Sequence, residues 1–428
     1  MSYRTAILRR VSTAEAMDPR TLVRMLVLAI VVGVLGALGG SVFLYLVDEG
    51  QRVLFEHVPD ALGWSSAPWW YSAILLLVGA GIVAIAQRMP GGTGKGPLTG
   101  FHFDTPLAVV PSILVAAVGT LMFGFVLGPE APLIILGTAI GAIVARRADG
   151  QARQLAMLLG GVAAIGAVFG NPFITGFMIL EFAAFGLVPA AALLPVLLAL
   201  AAGYLVQIGI WAIPGVGVHP LAVPGLPAYD SIRVGDLVLG LGVAIVAAII
   251  AIAVRECGIG FDRIAQRRRR EALLATAVAT ALVLAIAVEA FDVDPGEILF
   301  SGSAGMGALV AETSLGAVLV IIVAKGIAYG AALGGGFRGG PIFPATFLGV
   351  GVGVAAALIF GHAELSPLAA AGIAATSAAF IRMPATSALL GALLISGAGA
   401  AIAPFVIIGA VIGFLVRSAA DAKLPSAD

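Results

Sequence analysis

Long runs of apolar residues, separated by short polar segments, set the first expectation about this chain. The segments 22–47, 71–86 and 234–254 are almost wholly apolar, and about 20 such residues in helical form cross the hydrocarbon core of a bilayer. Other apolar runs are shorter and are interrupted by glycine or proline. The segments of about ten residues with alternating polarity that mark a transmembrane β-barrel do not stand out. The pattern predicts an all-α polytopic membrane protein with tilted, broken helices.

Composition agrees with a membrane protein. Of the 428 residues, 61% are hydrophobic and 11% are charged, whereas roughly 25% of the residues in a soluble domain are charged. The single cysteine, Cys257, excludes an intramolecular disulfide and a cysteine metal cluster, and we expect neither a metal nor a cofactor. The arginine run within 263–270 lies beside predicted membrane spans. We therefore interpret it as a cytoplasmic loop and expect no nucleic-acid partner.

The distribution of basic residues predicts an orientation. They gather in the N-terminal segment and in 88–95, 146–153, 263–270 and 417–423, and loops rich in arginine and lysine tend to face the cytoplasm. Both termini are then cytoplasmic, in a multi-pass protein of the plasma (inner) membrane. The segment 48–70 has one arginine, several acids and a tryptophan cluster, so we expect an external loop there.

An internal repeat divides the chain. GPEAPLIILGTAIGA begins at Gly128, GGPIFPATFLGVGVG begins at Gly339, and their shared prolines and glycines are 212 residues apart. The same offset relates Gly160 to Gly372 and Pro172 to Pro384. The predicted parts are a cytoplasmic N-terminus (1–20), a first membrane repeat (21–215), a connecting segment (216–232), a second membrane repeat (233–418) and a cytoplasmic tail (419–428). The first long span leaves the N-terminus, whereas its counterpart runs into the arginine-rich loop, so the two repeats are expected to have inverted topology.

The repeated motifs predict an anion site. In each half, glycine and proline precede an apolar helical run, and proline suits the first turn of a helix because its missing N–H would be unpaired there. Such a helix start, buried at the membrane centre, presents free N–H groups and the positive end of a dipole. Inverted repeats with broken helices place a binding site where these ends meet. We therefore expect a site for a small anion that contains no fixed cation.

The loop MPGGTGKGPLTG, residues 89–100, resembles a phosphate-binding loop only superficially. The P-loop pattern needs a glycine where Met89 stands, and a serine or threonine where Gly96 follows Lys95. Its glycines instead allow the backbone to approach a small ion, and the Thr93 hydroxyl is a hydrogen-bond donor.

Together, GTGKGP, GPEAP and GGPIFP resemble the three signature loops of the CLC family of chloride channels and proton-coupled chloride exchangers. The resemblance covers nearly the whole membrane chain and implies a homodimer whose subunits each hold a pore between inverted halves. It assigns Glu130 as the gating glutamate. It assigns Thr93, beside Gly94, the role of the signature serine, and it places the anion-binding amides around Ile342 and Phe343.

The departures from the family pattern are also informative. Thr93 replaces a serine, and the aromatic residue of GGPIFP lies one position late, so we assign the amide donors to a pair of residues. No tyrosine follows Tyr329, so the family's C-terminal tyrosine has no counterpart. The usual internal glutamate is also missing, because Phe182 and Ala183 stand at its positions. The nearest acid, Glu181, is the candidate for a proton path.

The expected function is transmembrane transport of chloride or a similar monovalent anion, by proton-coupled exchange or by passive conduction. A fluoride/proton antiporter is an alternative within the same class. A cation transporter would use Glu130 and Glu181 at the membrane centre, but paired helix starts favour an anion. An intramembrane hydrolase would need a base beside Ser301 or Ser303, and the four histidines, His57, His102, His219 and His362, all lie near segment ends. We do not expect an enzyme.

Each singled-out residue has a structural alternative. Glu130 would otherwise cap a helix, Thr93 would bond its own turn, and Glu181 would be paired elsewhere. Three basic residues, Lys95, Arg338 and Arg382, are expected at the cytoplasmic surface or at helix ends, and Lys95 would also raise the anion concentration at the inner mouth. Lys325 is expected to neutralise a buried acid or a lipid head group.

Overall fold

A computed structural model describes residues 18–213, 222–361 and 363–423. Within these ranges, nine helical segments are long and apolar enough to cross a membrane, and no β-strand forms. The predicted all-α polytopic membrane fold is therefore confirmed. Residues 1–17, 214–221 and 424–428 lie outside the described residues, and with them much of the predicted terminal and connecting segments. The predicted repeat boundaries stay predictions.

The helices follow one another in two sets. The first set is α1 (Pro19–Arg52), α2 (Trp69–Ala86), α3 (Val110–Leu121), α4 (Glu130–Val144), α5 (Gly150–Phe169), α6 (Pro172–Ala184) and α7 (Leu193–Trp211). The second set is α8 (Val234–Arg267), α9 (Arg269–Phe291), α10 (Pro295–Ile298), α11 (Met306–Ala311), α12 (Leu315–Gly334), α13 (Ile342–Phe360), α14 (Leu365–Ile381), α15 (Pro384–Leu394) and α16 (Ala403–Lys423). Short 3₁₀ helices span Pro97–Thr99, Leu107–Val109, Ala190–Ala192, Ser396–Ala398 and Ala400–Ile402.

The segment 48–70 differs from the expected loop. Helix α1 runs to Arg52 and continues through a π-helical turn, Val53–His57, and a further helical turn that ends at Ala61. Pro59 does not end this helix earlier because it stands in the first turn of Val58–Ala61, where a missing N–H is tolerated. The part after Ala61 is irregular as far as Pro68, and its Trp64 packs against Trp70 in the first turn of α2, with the ring centroids 5.2 Å apart.

The two sets of helices repeat in order. Helices α1 and α8 both have 34 residues. Helices α4 and α13 begin at Glu130 and Ile342, 212 residues apart, and α6 and α15 begin at Pro172 and Pro384 with the same offset. The offset predicted from the sequence thus relates whole helices, and the corresponding helices begin at corresponding residues.

Glycines bring corresponding helices into equivalent contacts. A Cβ atom on Gly137 of α4 would overlap the Gly160 carbonyl of α5, and one on Gly349 of α13 would lie 2.5 Å from the Gly372 carbonyl of α14. Small residues at such crossings let helix backbones pack closely in a membrane. Helix α13 is the most buried of the described spans, at 78%, whereas α1 and α8 are 39% buried. The start of α13 therefore lies in the interior of the protein.

Candidate functional site

The starts of α4 and α13 meet through a pair of glycines. The Gly128 amide donates to the Gly340 carbonyl at 2.8 Å, and the Gly340 amide donates to the Gly128 carbonyl at 2.5 Å. These residues are 212 apart and occupy equivalent positions in the two halves. A reciprocal antiparallel bond between equivalent residues places a local two-fold axis between them. Inverted repeats have this relation, with broken helices meeting at the axis.

Glu130 breaks this symmetry. Its side chain is fully buried, and Oε1 accepts hydrogen bonds from the Ile342 and Phe343 amides, each at 3.0 Å. The equivalent position in the second half is Ile342, which carries no acid. The first half therefore supplies a carboxylate, and the second half supplies the free amides of a helix start that bind it. The other oxygen, Oε2, is buried and has no hydrogen-bond partner among the described residues.

Two glycines make room for this carboxylate. A Cβ atom at either Gly128 or Gly340 would overlap Glu130 Oε2. Only glycine, which has no Cβ, lets the two backbones approach the carboxylate so closely. The glycines of GPEAP and GGPIFP are thus needed for the contact between Glu130 and α13, in addition to their pairing with each other.

Three cavities lie around Glu130 and the nearby Thr93, and each is named here after one lining residue. The Ser301 cavity is lined by Leu127, Pro129, Gln207, Ser301, Ser303 and Phe343, among others. The His102 cavity is lined by Lys95, His102, Asp104, Ala131, Pro132, Arg338 and Pro341, among others. The Arg269 cavity is lined by Gln87, Thr93, Asp262, Arg269 and Arg338, among others. Pro129 and Ala131 face different cavities, so Glu130 stands between the Ser301 and His102 cavities.

Thr93 lies in a glycine-rich turn that is held from two sides. Gly91, Gly92 and Gly94 adopt positive φ angles of 84°, 64° and 67°, a conformation that favours glycine. The hydroxyl of Ser112, on α3, donates to the Gly92 carbonyl. Thr93 itself is buried, 6% exposed, and lines the Arg269 cavity. The turn leads into a three-residue 3₁₀ helix, not into the α-helix that a P-loop would start.

Arg338, which was expected at the cytoplasmic surface or at a helix end and is partly exposed, holds the same turn from the second half. Its guanidinium donates to the Thr93 carbonyl at 2.5 Å, to the Thr93 hydroxyl at 2.9 Å and to the Gly94 carbonyl at 2.9 Å. Its own amide donates to the Thr120 hydroxyl at 3.1 Å. A guanidinium therefore lies beside the predicted signature threonine. The sequence signal was a lone arginine within the glycine-rich run GGGFRGGP.

A second residue was also missed. Tyr329, on α12, is fully buried, and its hydroxyl donates to the carbonyl of Pro341, the residue that caps α13, at 2.6 Å. Its ring packs against Phe380 with the ring centroids 5.1 Å apart. A tyrosine therefore does reach the helix start, although from a different position in the chain from the family's C-terminal tyrosine. Its place in the sequence gave no sign of this contact.

Glu181 lies at another helix start. Its carboxylate accepts hydrogen bonds from the Ala385 amide at 2.9 Å, from the Thr386 amide at 2.8 Å and from the Thr386 hydroxyl. It thereby caps α15, as the alternative interpretation of a residue paired elsewhere anticipated. The proton path through Glu181 stays a prediction.

The remaining basic residues have different surroundings. Lys325 is fully buried, donates to the carbonyls of Glu297, Ile298 and Leu299 at 2.9 to 3.2 Å, and lies 4.4 Å from the ring centroid of Phe347. It therefore holds the end of α10 in place. Arg382 follows the end of α14 and forms an ion pair with Asp421 at 3.4 Å, as expected of a helix-end charge. Lys95 is exposed and lies 3.4 Å from His102 Nδ1.

The serines of the hydrolase alternative lie together without a base. Ser301 Oγ and Ser303 Oγ are 3.1 Å apart, and neither His57 nor His102 forms a hydrogen bond with them. His219 and His362 lie outside the described residues. The described part of the chain therefore offers this alternative no serine–histidine pair.

The chain is similar to a known protein family and to proteins of several bacteria. A family model described as voltage gated chloride channel matches residues 79–418. The "Putative ion-transport protein YfeO" of Salmonella newport is 28% identical over 359 residues, which cover 82% of this chain and 84% of that protein. The protein of the same name in Escherichia fergusonii is 28% identical over 365 residues, with 82% of each chain covered.

Solved structures share the fold at lower sequence identity. A slow cyanobacterial Cl⁻/H⁺ antiporter superposes with a TM-score of 0.73 and 19% identity, covering 95% of this chain and 96% of that one. A CLC-type fluoride/proton antiporter gives a TM-score of 0.73 and 19% identity, covering 94% and 97%. Since the family model matches most of the sequence, this chain belongs to the voltage gated chloride channel family.

Proposed function

We propose that Glu130 is the gate of an anion pathway between the two repeats, in a protein that exchanges a small monovalent anion for protons. The observation that carries the proposal is the pair of hydrogen bonds from the Ile342 and Phe343 amides to Glu130 Oε1. Free amides at a helix start form an anion site. The carboxylate occupies that site, so an anion can bind the same amides only after the side chain has moved away.

Protonation offers a way to release the gate. The charge-assisted hydrogen bonds from the two amides favour the carboxylate over the neutral acid. Adding a proton removes the negative charge and weakens these bonds, which frees the amides for an anion. The buried Oε2, with no hydrogen-bond partner among the described residues, supports this step because an ionised oxygen without a partner is costly in a dry site.

The surroundings of Glu130 support a gate over a purely structural cap. The Ser301 and His102 cavities approach the carboxylate from two directions, through Pro129 on one side and Ala131 on the other. A side chain between two cavities controls passage from one to the other. The donors at the site are backbone amides, whose partial charges bind an anion without holding it permanently.

We further propose the anion-binding set Thr93, Gly94, Ile342 and Phe343, with chloride as the substrate and fluoride as the competing candidate. The two similar structures named above, one a Cl⁻/H⁺ antiporter and the other a fluoride/proton antiporter, support either ion and support proton coupling. A homodimer in the plasma (inner) membrane, with both termini in the cytoplasm, completes the proposal.

The purified protein in liposomes tests this function. An imposed chloride gradient is expected to drive protons against their own gradient, read with a pH-sensitive dye, and the same measurement with fluoride identifies the preferred ion. Sodium as the only permeant ion is expected to move neither charge nor protons. Anion flux without proton movement would establish passive conduction, and the absence of any anion flux would overturn the proposed function.

A further inference from the structure

Arg338 carries a charge that nothing in its contact shell neutralises. Its five guanidinium N–H groups donate to the carbonyls of Thr93, Gly94, Gly336 and Phe337 and to the Thr93 hydroxyl. All of these acceptors are uncharged, and within the described ranges the guanidinium forms no ion pair. Arg338 is only partly exposed, and a cation that loses contact with bulk water normally has a paired anion. Here the hydrogen bonds are complete and the counter-charge is missing.

Arg338 lies where two of the cavities meet. Arg338, Gly94 and Gly96 line both the His102 cavity and the Arg269 cavity. An ion that moves between these two cavities therefore passes the guanidinium. The His102 cavity in turn reaches Ala131 and Pro341, which adjoin Glu130 and the amides that bind it.

The other charged groups around Arg338 balance one another. The His102 cavity contains Lys95 and Asp104, and the Arg269 cavity contains Asp262 and Arg269. Apart from His102 and Arg338, each cavity thus has one positively charged and one negatively charged side chain. Burial, and then the charge of Lys95, lower the pKa of His102, so this imidazole is mostly neutral at neutral pH. The net charge left at the junction of the two cavities is that of Arg338.

Arg338 also orients the Thr93 hydroxyl. Thr93 Oγ1 accepts a hydrogen bond from Arg338 at 2.9 Å, so its own proton must point elsewhere. Thr93 Oγ1 donates no hydrogen bond to any described residue. An anion in the Arg269 cavity, which Thr93 lines, is the acceptor that this geometry suits.

We propose that Arg338 is the residue that recognises the anion on the side of Glu130 where the His102 and Arg269 cavities lie. Its guanidinium fixes the Thr93 turn, and its unpaired charge attracts a halide-sized anion to the Thr93 hydroxyl. Lys325 provides a contrast within the same chain. It also binds three carbonyls, but it lines none of the three cavities, and its charge lies over the ring of Phe347. The role assigned to Arg338 rests on the proposed transport function and specifies how the anion is selected.

Two substitutions of Arg338 separate its charge from its geometry. Arg338→Lys keeps the charge but loses the planar fork, whereas Arg338→Gln loses the charge. Because a unit charge at close range attracts an anion strongly near a protein surface, Arg338→Gln is expected to raise the half-saturating chloride concentration at least about tenfold. Arg338→Lys, which keeps the charge, is expected to raise this concentration clearly less than Arg338→Gln does. Arg263→Gln, which removes an exposed charge near the C-terminal end of α8, is the control and is expected to leave the half-saturating chloride concentration unchanged.

A second pair of variants leaves Arg338 intact in case its substitution prevents folding. A Cβ atom on Gly96 would meet nothing within 4 Å, and its φ angle of −78° suits any side chain. Gly96→Asp adds a carboxylate where the two cavities meet and is expected to weaken chloride binding at least about tenfold. Gly96→Asn adds the same bulk without charge and is expected to retain binding.

Chloride binding by titration calorimetry and chloride flux in liposomes are measured for all five variants, and thermal unfolding reports folding. Equal affinities in Gly96→Asp and Gly96→Asn, or equal losses in Arg338→Gln and Arg338→Lys, would overturn the proposal and leave Arg338 with a structural role only. These results differ from failure of the proposed function, in which the wild-type protein itself moves no anion.

Discussion

At the scale of single residues, two glutamates of the first half bind helix starts of the second half, and their surroundings differ. Glu181 is partly exposed, and both of its oxygens accept hydrogen bonds at α15. Glu130 is fully buried, and only one of its oxygens has a partner among the described residues. A fully bonded carboxylate stabilises a fixed structure, whereas a buried carboxylate with one unmet oxygen can gain from protonation or movement. This contrast supports Glu130 as the proposed gate.

Removal of the Thr93 hydroxyl is expected to weaken anion binding. Thr93→Val keeps the shape of the side chain and removes both the acceptor for Arg338 and the proposed donor to the anion. Loss of one hydrogen bond is worth about 1 kcal/mol, so the half-saturating chloride concentration is expected to rise about fivefold. Thr313→Val, at an exposed position, is the control. An unchanged affinity and an unchanged order of preference among chloride, nitrate and fluoride would leave Thr93 with a turn role only.

At the scale of helices, Glu181 connects the two halves through α6 and α15. Glu181→Ala removes the acceptor of the Ala385 and Thr386 amides, and loss of a helix cap costs about 0.5 to 2 kcal/mol. We expect a lower unfolding temperature with unchanged proton movement per anion. Glu56→Ala, which removes an exposed carboxylate, is expected to leave both unchanged. Loss of proton movement in Glu181→Ala, with anion flux retained, would instead support the predicted proton path.

The equivalent glycine contacts in the two halves predict similar losses of stability when either glycine is replaced. Gly137→Ala and Gly349→Ala each place a methyl group against the backbone of the next helix, and overpacking of this kind costs about 1 to 3 kcal/mol. The two variants are expected to lower stability by similar amounts, since the contacts are equivalent. Gly242→Ala, in α8, is the control because its new methyl meets nothing within 4 Å, and alanine favours a helix over glycine. A stable Gly137→Ala variant would show that this crossing tolerates separation.

At the scale of the whole molecule, sequence predicts the spans and the 212-residue offset, and the resemblance to the CLC family implies that Glu130 and the Ile342 and Phe343 amides belong to one site. The spans and the offset have local signals: apolar length, and glycine and proline at fixed spacing before a helix. For Arg338 the only local signal is the lone arginine of GGGFRGGP, and this does not identify hydrogen-bond partners 245 positions away. Its partners are mostly carbonyls, which every residue carries. The contact of Tyr329 with the start of α13 was not predicted for the same reason, because its acceptor is the Pro341 carbonyl.

The central claim is that Glu130 competes with the transported anion for the amides of α13. The most direct test is anion flux through Glu130→Gln in liposomes, measured across a range of pH together with proton movement. Glutamine mimics the neutral acid and cannot exchange a proton, so flux is expected to be raised or to become independent of pH, and coupled proton movement is expected to disappear. Flux that keeps the wild-type pH dependence and proton coupling would contradict the account, because Glu130 would then not be the gate.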